Sequence, residues 1–236
     1  MKRFWNSAAT SEQPGGFGVV LDGRPVRLPG GAPLVVDRAP LAEAIAGEWS
    51  AAGGGAKGGE MSMNDMPLTR LVGTAQERIA PDPSAMVEGL ARYAESDLLC
   101  YRAEDPQLAA RQALEWQPLL DWAALQHDAP LRVTEGIMPI PQEGTAVAAL
   151  RAAIATRNAL ELAALGVLVP ALGSLVLGLA VVEGRLEAAE AHRLAILDET
   201  YQEEFWGLDA EAAERRARIA EDIAVVARLL ALARPA

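Results

Sequence analysis

The sequence predicts an α+β protein: a small N-terminal antiparallel sheet with a covering helix, followed by a larger all-helical domain. Three observations carry this. Short apolar runs bounded by turn residues fill positions 3–36. From Met66 onward, apolar residues recur at helical spacing, punctuated by Asp-Pro pairs. The two parts also differ in charge: residues 1–59 hold six Lys/Arg against five Asp/Glu, and residues 60–236 hold fifteen against twenty-seven. The expected boundary is Gly53-Gly54-Gly55-Ala56-Lys57-Gly58-Gly59, which gives an N-terminal module over 1–59 and a helical domain over 60–236. This stretch reads as a flexible linker and not as a phosphate loop, because it lacks a Gly-Lys-Ser/Thr ending.

Taken in order, Phe4-Trp5-Asn6-Ser7 is a candidate first strand, before the loop at Pro14-Gly15-Gly16. Residues 17–21 make a strand, Asp22-Gly23 a tight hairpin turn, and residues 26–28 the return strand. Pro29-Gly30-Gly31 turns the chain again into a short strand at 34–36. Asp37 is the expected N-cap of a helix that directs Leu41, Ile45 and Trp49 at the sheet. Pro67 is placed to start a helix that runs to about Ile79, and Asp82-Pro83 and Asp105-Pro106 start the next two. Pro139 and Pro141 keep residues 131–141 extended, and a further helix spans about 145–156.

Residues 162–182 carry no charge, a length that could span a bilayer. Pro170 and Gly173-Ser174 interrupt the run, which favours two short buried helices packed through small residues. A membrane-inserted assembly factor stays open as an alternative. The last helices are expected over 186–205 and about 210–232, with Asp209 as the cap between them.

A net charge of −11 argues against a nucleic-acid partner, whose phosphates need a basic face. One cysteine, Cys100, excludes an intrachain disulfide, and its apolar setting suits a buried structural thiol. With two histidines and that one cysteine, no His/Cys zinc cluster can form. No motif assembles a nucleophile, a base and an oxyanion site, so catalytic residues, metal ligands and cofactor ligands are expected to be none. No secretory signal follows Met1. Trp49 and Trp122 are expected to be buried structural residues.

The stretch 194–209 is the most informative. As a helix at 100° per residue it aligns Leu194, Leu197, Tyr201, Phe205 and Leu208 in a stripe about 80° wide, a core face. Glu199, Gln202, Glu203 and Trp206 fall on a neighbouring face, with no cation in the helix beyond Arg193. That face is either a solvated acidic surface or a surface for something outside the helix. An enzyme using carboxylates of this helix on a small substrate is a further alternative.

Several phrases in order resemble one family. They are Gly16-Phe17 with Leu21-Asp22-Gly23-Arg24-Pro25, Glu48-Trp49, and Met66-Pro67-Leu68-Thr69-Arg70-Leu71. Then come Tyr93-Ala94-Glu95-Ser96-Asp97-Leu98-Leu99-Cys100-Tyr101-Arg102, Glu115-Trp116-Gln117-Pro118-Leu119-Leu120-Asp121-Trp122, and Gly173-Ser174-Leu175-Val176-Leu177. The last is Leu197-Asp198-Glu199 through Tyr201-Gln202 and Trp206-Gly207. The chain resembles, over nearly its whole length, the "ATP-twelve" assembly chaperones of the F-type ATP synthase alpha subunit. The resemblance implies a soluble, non-catalytic monomer of the bacterial cytoplasm, without a cofactor. Such a protein binds unassembled alpha subunit and prevents its aggregation. It also places the family's recurrent letters on Asp198, Glu199, Gln202 and Trp206, which become the expected partner-binding residues. Gln117 stands where Asp is commoner in the family, and Leu172 where Thr often precedes Gly173-Ser174.

Overall fold

Four strands form the N-terminal sheet: β1 (Ala8–Gln13), β2 (Gly16–Leu21), β3 (Arg24–Pro25) and β4 (Val35–Val36). The computed structural model describes residues 1–234. β2 is central, antiparallel to β1 in the register Ala8↔Leu21 to Gln13↔Gly16, and it also pairs with β3 and β4. The turn at Asp22-Gly23 forms as expected, with φ of 47° and 80°, the left-handed pair that matches a hairpin's twist. Asp22 does more than turn the chain: its carboxylate accepts the N–H of Asn6 (3.1 Å) and of Ser7 (2.9 Å).

The first strand is not where the aromatic residues suggested. Residues 4–7 are irregular, because Trp5 turns inward, buried, and donates its indole N–H to the Trp49 carbonyl (3.1 Å). The strand that forms instead, β1, has the polar sequence Ala-Ala-Thr-Ser-Glu-Gln and no buried residue. It exists through pairing with β2, which no propensity of its own announces.

Helix α1 (Ala39–Ala51) covers the sheet with Leu41, Ala42, Ile45, Ala46 and Trp49 buried. Its N-cap is Arg38, without a side-chain cap, so the expected Asp37 cap is not made; a proline in the first turn, Pro40, needs no hydrogen bond there. Buried Arg3 closes the other end. Its guanidinium donates to the carbonyls of Ser50 (2.6 Å) and Ala52 (3.1 Å), where the helix dipole favours a cation. The glycines that follow form a closed turn rather than a loose linker. Gly53 and Gly54 hold φ of 64° and 66°, and Arg3 exchanges backbone bonds with Gly59 O (3.0 Å) and Gly58 N (2.8 Å). A Cβ on Gly59 would lie 1.9 Å from the Gly53 carbonyl oxygen, so only glycine permits this approach.

The chain then enters α2 (Pro67–Thr74), extended by one π turn over Ala75–Ile79. The free N–H groups of Leu68 and Thr69 donate to the Glu48 carboxylate at 2.7 and 2.9 Å. An acid at a helix N-terminus satisfies orphan donors and complements the dipole. This remote cap ties residues 67–79 to the sheet module. Accordingly the chain divides into Met1–Asp82, with the chain's end from Arg228, and Pro83–Ala227; the division falls after Asp82, past the glycine stretch at 53–59.

The second unit holds α3 (Ser84–Ala91), α4 (Pro106–His127), α5 (Gly144–Ala155), α6 (Ala159–Leu172), α7 (Leu175–Val182), α8 (Ala188–Ala195), α9 (Leu197–Trp206) and the greater part of α10 (Ala210–Ala233). Asp105 caps α4 through the N–H groups of Gln107 and Leu108, both at 2.9 Å. Asp209 caps α10 through Glu211 (2.9 Å) and Ala212 (3.2 Å). A short parallel pair, β5 (Tyr101–Arg102) with β6 (Thr134–Glu135), has no sequence signal long enough to predict.

The uncharged run 162–182 lies in two helices. Pro170 is accommodated inside α6, and the break is made by Gly173, at φ 62°, with Ser174 capping α7. All eight residues of α7 are buried. A Cβ on Gly178 would lie 2.7 Å from Val169 Cγ2, so the glycine lets α6 and α7 approach closely. Among the described residues no helix is long and apolar enough to cross a membrane.

Asp97 ties this core together. Fully buried, its carboxylate accepts the Ser174 hydroxyl (2.7 Å), Val176 N–H (3.0 Å) and Leu99 N–H (3.0 Å). Burial pushes its pKa up and those donors oppose the rise. Cys100 beside it is buried, with its thiol pushed up to about 12 by burial and then by the Asp97 charge. Trp116 is fully buried and donates to the Leu194 carbonyl (3.1 Å). Trp122, expected buried, is only half-buried, edge-on to His127 with ring centres 5.1 Å apart.

Candidate functional site

The stretch 194–209 is not one helix. α8 ends at Ala195, Ile196 sits at φ −101° and ψ 16°, and α9 starts at Leu197. The break places Asp198 and Glu199 in the first turn of a new helix, where the positive dipole end favours acids. The expected core stripe holds across this break and ends past Tyr201. Leu194, Leu197 and Tyr201 are buried, whereas Phe205 (65% exposed) and Leu208 (71%) face solvent.

Of the four expected site residues, three come together. Glu199, Gln202 and Trp206 line an open groove of about 610 Å³ between α9 and the first turns of α10. Glu203, Arg215 and Arg216 complete its walls. Trp206 is 79% exposed. Asp198 is not on this face. It is half-buried toward α4, accepting from the Gln112 side chain (2.7 Å), and burial pushes its pKa up. Buried Gln112 also accepts the Ala103 N–H (2.7 Å), so Asp198 belongs to a packing contact.

The acids are not uncompensated, as α9 alone suggested. Arg216 of α10 donates to Glu199 (3.1 Å) and Glu203 (2.5 Å), and Arg215 lies 3.8 Å from Glu199. Little of the Arg216 side chain is exposed, and both carboxylates raise its pKa, Glu203 most. On the far side Arg111 of α4 makes a two-pronged pair with Glu204, the second contact at 2.9 Å, and lies over the Tyr201 ring at 4.9 Å. The Tyr201 hydroxyl donates to Asp105 (2.9 Å). Thus α9 is held by side chains on two flanks, and its tip projects Trp206 with Phe205 and Leu208.

Arg215 and Arg216 lie on α10, so the periodicity of α9 alone does not reveal them. A signal existed: Gly207-Leu208-Asp209 is too short to do anything but return the chain alongside α9. Among the described residues no group of three or more His, Cys, Asp or Glu is placed to hold a metal.

An ion-paired face that leaves a tryptophan in water stands here on the fold of an assembly chaperone. Two crystal structures of Atp12 from Paracoccus denitrificans, one of them of a point mutant, superpose with a TM-score of 0.90 at 42% identity, covering 99% of this chain and 98% of theirs. The Atu1473 protein of Agrobacterium tumefaciens superposes at 0.88 with 38% identity, over 99% of this chain and 86% of that one. The mitochondrial atp12 protein of Schizosaccharomyces pombe is 26% identical over 225 residues, 90% of this chain and 76% of its own length. Residues 2–124 match the family model of the ATP12 chaperone protein. The chain belongs to the ATP12 family of ATP synthase assembly chaperones, the family its phrases resemble.

Proposed function

We propose that the protein binds the unassembled alpha subunit of the F-type ATP synthase and shields its apolar subunit-contact surface until the beta subunit takes its place. It acts as a monomer in the bacterial cytoplasm, by binding alone, without catalysis or a cofactor. The observation that carries the reading is the α9 tip, where Trp206 stands 79% exposed beside a groove whose charges are fixed in place. Phe205, Trp206 and Leu208, close in sequence and all exposed, offer an apolar patch of the kind that marks an interaction surface. The charged wall of Glu199, Glu203 and Arg216, with the Gln202 amide, sets the register of the client, and Trp206 slows its release. The carboxylates Glu199 and Glu203 are engaged by arginine, which suits positioning more than proton transfer.

The test is rescue of purified alpha subunit from aggregation, read by light scattering, with wild type and Trp206→Ala. The expected result is loss of rescue with an unchanged melt. Full rescue by the variant would remove Trp206 from the site.

A further inference from the structure

The N-terminal unit carries a second groove whose charges are left unanswered. It encloses about 530 Å³ between the β3–β4 segment and α2. Its rim bears Arg27, Arg70 and Arg78, all exposed, in a chain whose net charge is −11. The one acid in the described lining, Glu77, is turned to the loop at Gly30, whose N–H it accepts at 2.6 Å.

The arginines are nearly free. Arg27 gives one N–H to the Gly31 carbonyl (2.7 Å), and Arg70 gives one to Asn64 (3.2 Å). Arg78 has no ion pair or hydrogen bond among the described residues. Each guanidinium offers five N–H donors in a planar fork, so most of this donor capacity faces water. A neighbouring groove of about 450 Å³ shares Val26, Arg27 and Trp49, adds Lys2 and Arg24, and has no acid among its described lining residues. The basic strip therefore continues from the N-terminus to α2.

Its floor is apolar. Leu28 and Trp49 are buried beneath it, and Met63 is 39% exposed at its edge. The α9–α10 groove makes the contrast: there Arg216 is already paired with Glu199 and Glu203. Guanidinium groups that are not ion-paired, over an apolar floor, complement carboxylates on a chain that also carries apolar side chains. We propose that this groove docks an extended acidic segment of a protein partner, its carboxylates on Arg27, Arg70 and Arg78 and its apolar side chains on Met63 and the Leu28 floor. A polyanion such as RNA fits less well, since the strip is short and the rest of the chain repels phosphate. The proposal stands whether or not the alpha subunit is the client.

The experiment is fluorescence anisotropy with a fluorescein-labelled peptide of about ten residues alternating Glu and Leu, at low salt. Saturable binding is expected, weakened at least tenfold in Arg27→Glu/Arg70→Glu/Arg78→Glu and weakened by high salt. Met63→Glu, a single exposed change that leaves the fold intact, should weaken it several-fold and decides the matter if the triple variant melts early. Trp206→Ala should keep wild-type peptide affinity, so loss of client rescue there is separable from failure of this groove. No saturable binding, equal binding by the triple variant or by Met63→Glu, equal binding of a Lys-Leu peptide, or tighter binding of a labelled oligouridylate would each overturn the proposal.

Discussion

Two carboxylates of the helical unit, Asp97 and Glu199, lie in family-like phrases and are used in opposite ways. Asp97 is fully buried and collects three donors, all at 3.0 Å or less, from Leu99, Ser174 and Val176. It joins the 93–102 phrase to the 173–177 phrase, and its surroundings are closed. Glu199 is half-exposed, meets Arg216 at 3.1 Å, and lines a groove open to solvent. The difference teaches that a recurrent acid signals either a fold or a surface, and that burial together with the identity of its donors tells which. Backbone N–H donors fix an acid as architecture. An arginine at a groove wall leaves it at an open surface.

Loss of the buried acid should be the more costly. Asp97→Ala leaves the Ser174 hydroxyl and two backbone N–H groups without an acceptor in a dry core, at a cost of about 3–5 kcal/mol. Urea denaturation should show it as a large fall in midpoint. A shift under about 1 kcal/mol would mean that water or another acceptor replaces the carboxylate.

A smaller effect is expected at Glu48, which caps α2 from outside the helix. Glu48→Ala should cost about 1–2 kcal/mol and speed hydrogen exchange at the Leu68 and Thr69 amides first. Unchanged protection at those two amides would refute the capping role.

At the groove, Glu199→Lys sets a new cation against Arg215 and Arg216, so a loss of up to about 1 kcal/mol is expected. Glu199→Gln keeps the shape and should change stability by less than about 0.5 kcal/mol. Thermal melts of the two variants separate charge repulsion from lost packing.

The smallest effect is a pH dependence at the hairpin. The N–H groups of Ser7 and Asn6 hold the Asp22 carboxyl below its ordinary value. A lowered acid contributes stability above its unfolded pKa, near pH 4, and loses it as pH falls through the folded value. Wild type should therefore shed this contribution below about pH 4, and Asp22→Asn should not. Parallel acid titrations that superpose would contradict it.

How much of this was legible in the sequence differs by residue. The Asp22-Gly23 turn, the Asp105 and Asp209 caps and the divided run at 162–182 follow local rules, and each formed. What failed depended on contacts distant in sequence. β1 carries no apolar alternation and exists through β2. The glycines at 53–59 read as slack, because nothing local shows Arg3 closing their turn. Phe205 keeps helical phase with Leu197 and Tyr201 and Leu208 lies past the end of α9, and both stay exposed. On α9, the shared face of Glu199, Gln202 and Trp206 follows from helical angle, while the turn of Asp198 toward Gln112 and the arrival of Arg216 from another helix depend on contacts distant in sequence.

We propose that the α9 tip is a surface for a client and contributes little to the fold. Trp206→Ala, assayed for both melt and alpha-subunit rescue, tests it most directly. Because the indole is 79% exposed, its removal should shift stability by less than about 0.5 kcal/mol while rescue falls sharply. A variant that melts several degrees lower, or one that rescues the client as well as wild type, would contradict the claim.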